Sequence, residues 1–266
     1  MADPRDSDRD WLNFRSALER AIGVPLAQYK EPQMKRRLAS IMGRYGVASW
    51  PEFSRRITSD ERVLAVVRDT LTINVSEFFR QPDRFRALQE HYLPQMIAER
   101  RALKLWSAGC SIGCEPYTLS IVLNEVDPAG RHSVLATDVD MPALSRAQDG
   151  RGYLPSEVRS VPPELLQKYF TTEADGTYRV VEEVKRRVTF RRHDLLKDPY
   201  PTNMDLILCR NVVIYFTDEA KRYIYRRFAD ALRPGGYLFI GGSEMIMSSR
   251  ELGLVASSTS IYQKAA

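Results

Sequence analysis

The stretch LKLWSAGCSIGCEPYTLSIVL at residues 103–123 decides the fold class. It starts with an apolar run, LKLWSA, passes through a loop of small residues, and continues as a helical run that opens at Glu115–Pro116. Proline is well tolerated in the first turn of a helix. A strand, a glycine-containing loop and a helix N-terminus in this order form the ligand end of an open α/β sheet. The stretch therefore predicts a binding site for an organic cofactor at the end of the first strand.

The same alternation continues towards the C-terminus. Apolar, β-rich runs alternate with helical runs, which predicts a largely parallel sheet with crossover helices. The predicted strands after the first are HSVLATD (132–138), RVTFRRHD (187–194), MDLILCRN (204–211) and GGYLFIGG (235–242). The segment around ADG (174–176) interrupts this order with β-branched and aromatic residues. It predicts a small β-hairpin inserted at about 167–190.

The first third of the chain has a helical period instead. Trp11, Phe14, Leu18 and Ile22 recur on one face, and similar stripes follow in the next three segments. The predicted organisation is a disordered lead-in over 1–10, an all-α domain over 11–90, a linker over 91–102 and an α/β domain over 103–266.

Basic residues are concentrated in the all-α domain. Between positions 28 and 58 there are seven lysines and arginines against two glutamates, so this segment alone carries +5. The concentration indicates a patch facing an acidic partner, and the alternative is a solvated helix face.

Three cysteines, Cys110, Cys114 and Cys209, are too few for a disulfide framework or for a structural zinc site with four close ligands. We therefore expect reduced thiols and no metal. The polar N-terminus and the absence of an apolar run of about 18 residues predict neither a signal peptide nor membrane insertion, and hence a cytoplasmic protein.

Glu115 at the predicted helix N-terminus helps to decide which of two adenosine-containing cofactors the site binds. A dinucleotide would place its pyrophosphate there, and a carboxylate would repel it. A carboxylate attracts an amine or a sulfonium, and S-adenosylmethionine (SAM) carries both. Asp138, at the tip of the second strand, is placed to accept hydrogen bonds from ribose hydroxyls. Together the two acids favour SAM over NAD.

Five ordered segments give a more specific indication. They are TINVSEFFR (72–80), LWSAGCSIGCEPYTL (105–119), ATDVD (136–140), DLILCRNVVIYF (205–216) and PGGYLFIGGSE (234–244). The chain resembles the CheR family of SAM-dependent methyltransferases over almost its whole length. The resemblance implies a Rossmann-like class I methyltransferase domain with a small inserted β subdomain, preceded by an all-α domain. It also implies the reaction, which is methyl esterification of glutamates on chemotaxis receptors with S-adenosylhomocysteine as product.

The resemblance assigns roles by position. It places SAM contacts on Asn74, Ser76, Arg80, Glu115, Asp138, Asp194, Leu195, Asn211 and Val212. Arg80 and Tyr215 are assigned positioning roles in catalysis, although Tyr215 could equally be a core aromatic residue. The acidic cytoplasmic helices of the receptor are expected to bind Lys35, Arg36, Arg37, Arg44, Arg55 and Arg56.

Three positions depart from the family pattern, namely Cys114, Asp194 and Gly242, where an acid, an asparagine and a histidine are usual. The predicted hairpin is also short, which favours a form that does not need a receptor's C-terminal peptide tether. We further expect a monomer, and the lack of interleaved aromatic residues in the N-terminal half argues against nucleic-acid binding. Two alternatives stay open. One is a methyltransferase acting on RNA or another protein, and the other is a non-catalytic SAM-binding signalling module.

Overall fold

The computed structural model describes residues 8–72 and 76–265, and the chain divides into two compact units. The first unit contains the described residues up to 72 together with residues 215–221. The second contains residues 76–214 and 222–265.

The first unit is helical, as predicted. Its helices are α1 (Asp8–Ile22), α2 (Glu31–Arg44), α3 (Trp50–Ser59) and α4 (Glu61–Thr72), with a short 3-10 turn at Leu26–Gln28. The predicted lead-in ends too late, because α1 already begins at Asp8, where acidic residues in the first turn favour the helix dipole. Residues 1–7 of that lead-in lie outside the described residues.

An aromatic cluster holds α1 against α3. Trp11 and Phe14 on α1 pack on Trp50, with ring centroids 4.9 and 5.1 Å apart, and Phe14 stacks on Phe53 at 5.2 Å. The Ser49 hydroxyl caps α3 by accepting the Glu52 N–H. The apolar stripes read from the sequence are therefore the core of this unit.

The second unit contains the remaining elements. Its helices are α5 (Pro82–Ala87), α6 (Leu93–Glu99), α7 (Cys114–Val126), α8 (Met141–Asp149), α9 (Pro155–Val158), α10 (Pro163–Tyr169), α11 (Glu182–Lys185) and α12 (Asp218–Ala231, of which residues from 222 onward belong here). A π turn at Leu88–Tyr92 and 3-10 turns at Val213–Tyr215, whose last residue belongs to the first unit, and at Ser249–Leu252 complete the helical elements. Its strands are β1 (Lys104–Ala108), β2 (Ser133–Asp138), β3 (Phe170–Thr172), β4 (Tyr178–Val180), β5 (Val188–Arg192), β6 (Met204–Cys209), β7 (Leu232–Ile240), β8 (Leu254–Ala256) and β9 (Ile261–Lys264).

Within the described residues, seven strands form one sheet in the order β5-β2-β1-β6-β7-β9-β8. The first five of these run parallel, and β9 is antiparallel to both β7 and β8. The strands β3 and β4 pair separately as the predicted hairpin. The Rossmann-like domain with a small β subdomain, following an all-α unit, is therefore confirmed.

The structure divides the chain earlier than the sequence predicted. Residues 76–99 pack in the second unit, because Phe78, Phe85, Leu88, Leu93 and Met96 are buried in its hydrophobic core. The predicted all-α domain therefore extends too far at its end, and the predicted linker over 91–102 contains α6. An amphipathic helix pattern does not indicate which core the helix packs against. The predicted hairpin range likewise includes the first residues of β5.

Candidate cofactor site

Four parallel strands bring the predicted cofactor residues to one edge of the sheet. Ala108 at the end of β1 pairs with Thr137 of β2, and Asp138 pairs with Arg192 at the end of β5. On the other side, β1 pairs with β6. Since the carboxyl ends of parallel strands share an edge, the loops after β1, β2, β5 and β6 lie together.

The loop after β1 has a tight backbone. Gly109 and Gly113 have φ of 83° and 90°, and Ser111 has φ of 48°. The N–H groups of Gly109 and Cys110 both bond the Thr137 carbonyl, at 2.8 and 2.9 Å. A Cβ added at Gly109 would lie 2.4 Å from Val212 Cγ2, so the first and fourth loops touch here and only glycine fits.

Glu115 lies in the first turn of α7 and faces this edge. Its carboxylate accepts a hydrogen bond from Ser107 Oγ at 2.7 Å and pairs with Arg210 at 3.4 Å. Burial raises the pKa of Glu115, and the positive charges of Arg210 and Arg80 oppose that rise. The site therefore holds a desolvated carboxylate, which is suited to a cationic ligand.

Asp138 ends β2 as predicted. Its two carboxylate oxygens accept backbone N–H groups, Oδ2 from Ser111 at 2.7 Å and Oδ1 from Asp140 at 3.0 Å. Burial raises the pKa of Asp138, and these backbone hydrogen bonds oppose the rise. The side chain is thus fixed between the first and second loops.

Asp194 and Leu195 follow β5. Asp194 Oδ1 accepts the Leu196 N–H at 2.9 Å, and Tyr200 donates to the Leu195 carbonyl at 2.9 Å. Asp194 Oδ2 is buried and has no hydrogen-bond partner among the described residues, and Lys197 Nζ lies 3.8 Å away. Among those residues this oxygen therefore lacks a hydrogen-bond donor, in a loop at the carboxyl edge of the sheet.

Asn211 and Val212 follow β6. Asn211 has φ of 61°, and its N–H bonds Glu244 Oε2 at 3.3 Å. The same carboxylate oxygen accepts the Gly241 N–H. Within the described part of the chain, the buried Asn211 Oδ1 has no hydrogen-bond partner either.

The segment before α5 supplies Ser76 and Arg80, whereas Asn74 lies outside the described residues. Glu77 anchors the segment by accepting hydrogen bonds from Arg159 at 2.6 Å and from Ser160. The positive charge of Arg80 acts on both Glu115 and Arg210, so its guanidinium lies near the cofactor edge. The role assigned to Ser76 stays a prediction.

All three cysteines are free and buried. Burial raises the pKa of each thiol well above its usual value, which disfavours the thiolate needed for metal binding or redox chemistry. No group of histidine, cysteine or acidic side chains that could hold a metal occurs in residues 8–72 and 76–265. Helix α7 begins at Cys114, one residue before the predicted start.

The residues assigned to substrate binding lie in the first unit. Arg36, Arg44, Arg55 and Arg56 are exposed, and Arg56 pairs with Asp60 at 3.6 Å. Lys35 is less accessible, because it pairs with Glu31 at 3.1 Å and lies over the Trp11 ring. The exposed arginines are therefore the better-placed part of the basic set.

Arg37 and Tyr215 contact each other within the first unit. The Arg37 guanidinium lies 4.9 Å from the Tyr215 ring centroid, and the Tyr215 carbonyl accepts the Lys30 N–H. The catalytic positioning role of Tyr215 stays a prediction.

Sequence reasoning missed Arg210, Gln81 and Glu244 in the second unit. Arg210 lies inside the quoted segment DLILCRNVVIYF, directly after six buried strand residues. A charged residue at the carboxyl end of a buried strand was the available signal.

Two family profiles match consecutive parts of the chain. The profile for the CheR methyltransferase all-alpha domain matches residues 9–72, and the profile for the CheR methyltransferase SAM binding domain matches residues 74–261. In line with the second match, the predicted cofactor SAM is confirmed. Among the described residues, no helix is both long and apolar enough to cross a bilayer.

Several curated relatives match along nearly their full length. A chemotaxis protein methyltransferase of Listeria innocua is 38% identical over 260 residues, which is 97% of this chain and 98% of the relative. Chemotaxis protein methyltransferase 1 of Pseudomonas aeruginosa is 35% identical and covers 90% of this chain and 91% of its own. A solved TehB-like SAM-dependent methyltransferase from Corynebacterium glutamicum is 16% identical with a TM-score of 0.38, over 69% of this chain and 93% of its own.

The residues present fit SAM by their donor and acceptor chemistry. SAM carries an ammonium, an adenine amino group and two ribose hydroxyls as donors. The site offers the Glu115 and Asp138 carboxylates and two buried oxygens without hydrogen-bond partners in the described residues, Asp194 Oδ2 and Asn211 Oδ1. Buried acceptors are rarely left unpaired in a complete structure, so these oxygens are suited to bind the cofactor.

Proposed function

The chain belongs to the CheR methyltransferase family, and on that premise we propose that it methylates glutamate side chains of chemotaxis receptors to form methyl esters. The observation that carries the proposal is the pairing of a site for a cationic cofactor with a separate set of exposed arginines. The names of the relatives from Listeria and Pseudomonas support an acceptor in chemotaxis.

The reaction makes modest demands on the protein. SAM supplies a methyl group activated by the positive charge on its sulfur. A glutamate carboxylate is already ionised at neutral pH, so it attacks without a general base. Catalysis then depends on holding the two reactants in line and excluding water.

We assign those tasks to residues of the second unit. Glu115 would hold the ammonium of SAM and Asp138 its ribose, while Asp194 and Asn211 would accept further hydrogen bonds. Arg80 carries the positive charge that would orient the substrate carboxylate. Tyr215, which belongs to the first unit, is kept as a second positioning residue on the strength of the family resemblance alone.

The first unit would recruit the substrate. Receptor helices with acidic surfaces are attracted by a cluster of arginines in high-dielectric surroundings, and this attraction weakens with salt. Arg36, Arg44 and Arg55 are exposed and so available for such contacts. Positive charge would also come from three basic residues that already contact other side chains, namely Lys35, Arg37 and Arg56.

We also propose that the enzyme is a cytoplasmic monomer that needs no receptor tether. The inserted hairpin has strands of three residues each joined through a turn at Gly176, which has φ of 81°. So compact a hairpin offers a short edge for adding a peptide strand. Receptors truncated before their C-terminal tail should therefore be methylated as fast as the full-length receptors.

The decisive experiment is transfer of labelled methyl from SAM to receptor-containing membranes, followed by mild alkali. Volatile labelled methanol from a receptor-sized band is the expected result, because esters hydrolyse under these conditions. Label stable to alkali, or label that appears only with RNA, would instead support another methyltransferase. Binding of SAM without transfer to any receptor would support a non-catalytic module.

A further inference from the structure

A buried arginine connects the cofactor site to the segment that carries Arg80. The side chain of Arg210, which follows β6, is only 2% exposed. Its guanidinium lies over the rings of both Phe85 and Phe239, at 5.0 and 4.8 Å from their centroids. A charge buried this deeply is retained only where its partners compensate for the lost hydration.

The partners of Arg210 come from two different parts of the site. Nη1 pairs with Glu115 Oε2 at 3.4 Å, on the cofactor side. Nη2 donates to the Arg80 carbonyl at 2.6 Å and to Gln81 Oε1 at 2.9 Å. A planar guanidinium fixes the relative positions of its acceptors in a way that an ammonium group does not.

The backbone around Arg80 needs such a restraint. Phe79 and Gln81 have φ of 53° and 62°, so Arg80 lies between two non-glycine residues in the left-handed region. Conformations of this kind persist only where surrounding contacts hold them, and they cluster at functional sites. Gly242 leaves room for the Gln81 amide, since a Cβ at Gly242 would lie 2.7 Å from Gln81 Nε2.

We infer that Arg210 is a positioning residue that fixes the Glu115 carboxylate and the Arg80–Gln81 segment in one arrangement. Through Glu115 it tunes cofactor binding, and through the Arg80 backbone it aims the Arg80 side chain at the reacting carboxylate. The second effect rests on the proposed function, whereas the first concerns SAM alone. The two effects are therefore measured separately.

Two substitutions separate charge from geometry. Arg210→Lys keeps a positive charge near Glu115 but cannot hold three acceptors in a plane. Arg210→Met removes both charge and donors. The matched control is Arg233→Lys, because Arg233 is also a largely buried arginine that pairs with two acids, Asp205 and Glu99, but at the opposite ends of β6 and β7.

The first measurement is SAM affinity against pH, by calorimetry on the full chain without receptor. Glu115 faces the positive Arg210 and Arg80, the Ser107 hydroxyl and the Cys110 and Cys209 thiols. Without the Arg210 charge its protonation occurs at higher pH, and a protonated carboxyl cannot pair with an ammonium. We expect the loss of affinity on acidification to begin at a higher pH in Arg210→Met than in the wild type, and at the wild-type pH in Arg210→Lys.

The second measurement is kcat for receptor methylation at saturating SAM. Arg210→Lys should lower kcat by about tenfold or more while SAM affinity changes by less than about threefold, because misplacement of a positioned group costs rate more than binding. Arg233→Lys should lower only the melting temperature. If the wild-type enzyme methylates no receptor, the proposed function fails, and the pH dependence of SAM binding still decides the role of Arg210.

A milder variant keeps the inference testable if the Arg210 variants do not fold. Gln81 is exposed, and Gln81→Asn tolerates the left-handed backbone but is too short to reach Arg210. We expect kcat to fall severalfold with the melting temperature and SAM affinity unchanged. If the Arg210 variants do not fold and Gln81→Asn has the kcat of the wild type, the inference is overturned. Folded Arg210 variants that differ from wild type in melting temperature alone would also overturn it.

Discussion

Replacement of Glu115 by glutamine tests the central electrostatic feature of the site. Glutamine has the same shape and can still accept the Ser107 hydrogen bond, which is 2.7 Å long. The change therefore removes the negative charge that pairs with Arg210 and would pair with the ammonium of SAM. We expect weaker SAM binding and a less stable second unit.

The magnitudes follow from the contacts. At 3.4 Å and an effective dielectric constant of about 20, the Glu115–Arg210 attraction is about 5 kcal/mol before desolvation. Removal of one partner of a buried pair usually costs about 3–5 kcal/mol, and the retained acceptors for Arg210 reduce this to about 2–3 kcal/mol. For a domain of this size the melting temperature should fall by about 5–10 °C. A lost charge-assisted hydrogen bond of about 1.5–3 kcal/mol weakens SAM binding by roughly 10- to 150-fold.

The assay is calorimetric titration with SAM from pH 5 to 8, with melting temperatures measured on the same samples. Burial raises the pKa of Glu115, so wild-type affinity should fall as the pH drops through that value, whereas the glutamine variant should lack this dependence. The matched control is Glu125→Gln on the same helix, where Glu125 accepts hydrogen bonds from Lys168 and Tyr169 away from the cofactor edge.

Two results would refute this reasoning. One is SAM affinity within twofold of wild type in Glu115→Gln at pH 7.5. The other is an equal loss of affinity in Glu125→Gln, which would trace the effect to helix stability. Loss of affinity with an unchanged pH dependence would assign the titration to another group at the site, such as Asp138.

Further predictions concern recruitment, backbone fit and a second buried acid. Arg36→Glu with Arg44→Glu should raise the KM for receptor by about fivefold or more at low salt and leave SAM affinity unchanged; equal loss of both would contradict the recruitment role. Gly109→Ala should lower the free energy of unfolding by about 2–3 kcal/mol, and the control Gly253→Ala by about 1 kcal/mol. Both glycines have positive φ, but only at Gly109 would the added Cβ meet another side chain within 4 Å. Equal melting temperatures in the two variants would contradict this prediction. Burial raises the pKa of Glu244, so its contribution to the free energy of unfolding is greatest below its unfolded pKa of about 4 and is lost as pH rises through the folded value. Glu244→Gln should reduce the dependence of the free energy of unfolding on pH in this range. An unchanged dependence would show that Glu244 is not the group responsible.

The ends of the strands were predictable from the sequence. In the first and fourth strands, buried residues run without alternation, as expected for a parallel sheet covered on both faces. The residues that follow such runs lie at the carboxyl edge of the sheet, where the structure has Gly109 after β1 and Asn211 near the end of β6, and the assigned role of Asn211 in binding stays a prediction. Short strands β8 and β9 carry no such run, and their pairing depends on the β7 edge that they cover.

The interior of the site was less predictable, because its contacts join residues far apart in the chain. Arg210 bonds the backbone carbonyl of Arg80, 130 positions away, and a carbonyl leaves no mark in the sequence. The general expectation for an arginine is solvent exposure. The unit to which residues 76–99 belong was missed for a similar reason, since periodicity reveals an apolar face but not the surface it contacts.

A site that binds a cationic cofactor beside an anionic acceptor needs acidic side chains for the first and basic side chains for the second. These side chains lie close together, but they must not all pair with one another. Here the acids Glu115 and Asp138 belong to α7 and β2, and the arginines Arg80 and Arg210 come from the segment before α5 and the end of β6. The Glu115 carboxylate and the Arg210 guanidinium connect the two sets through a 3.4 Å ion pair. If the acceptor is the proposed glutamate carboxylate, it needs no proton removed, so no side chain has to change protonation during the reaction. The rate then depends on how rigidly these charges are held, which makes the residue that joins them as important as those that touch the reactants.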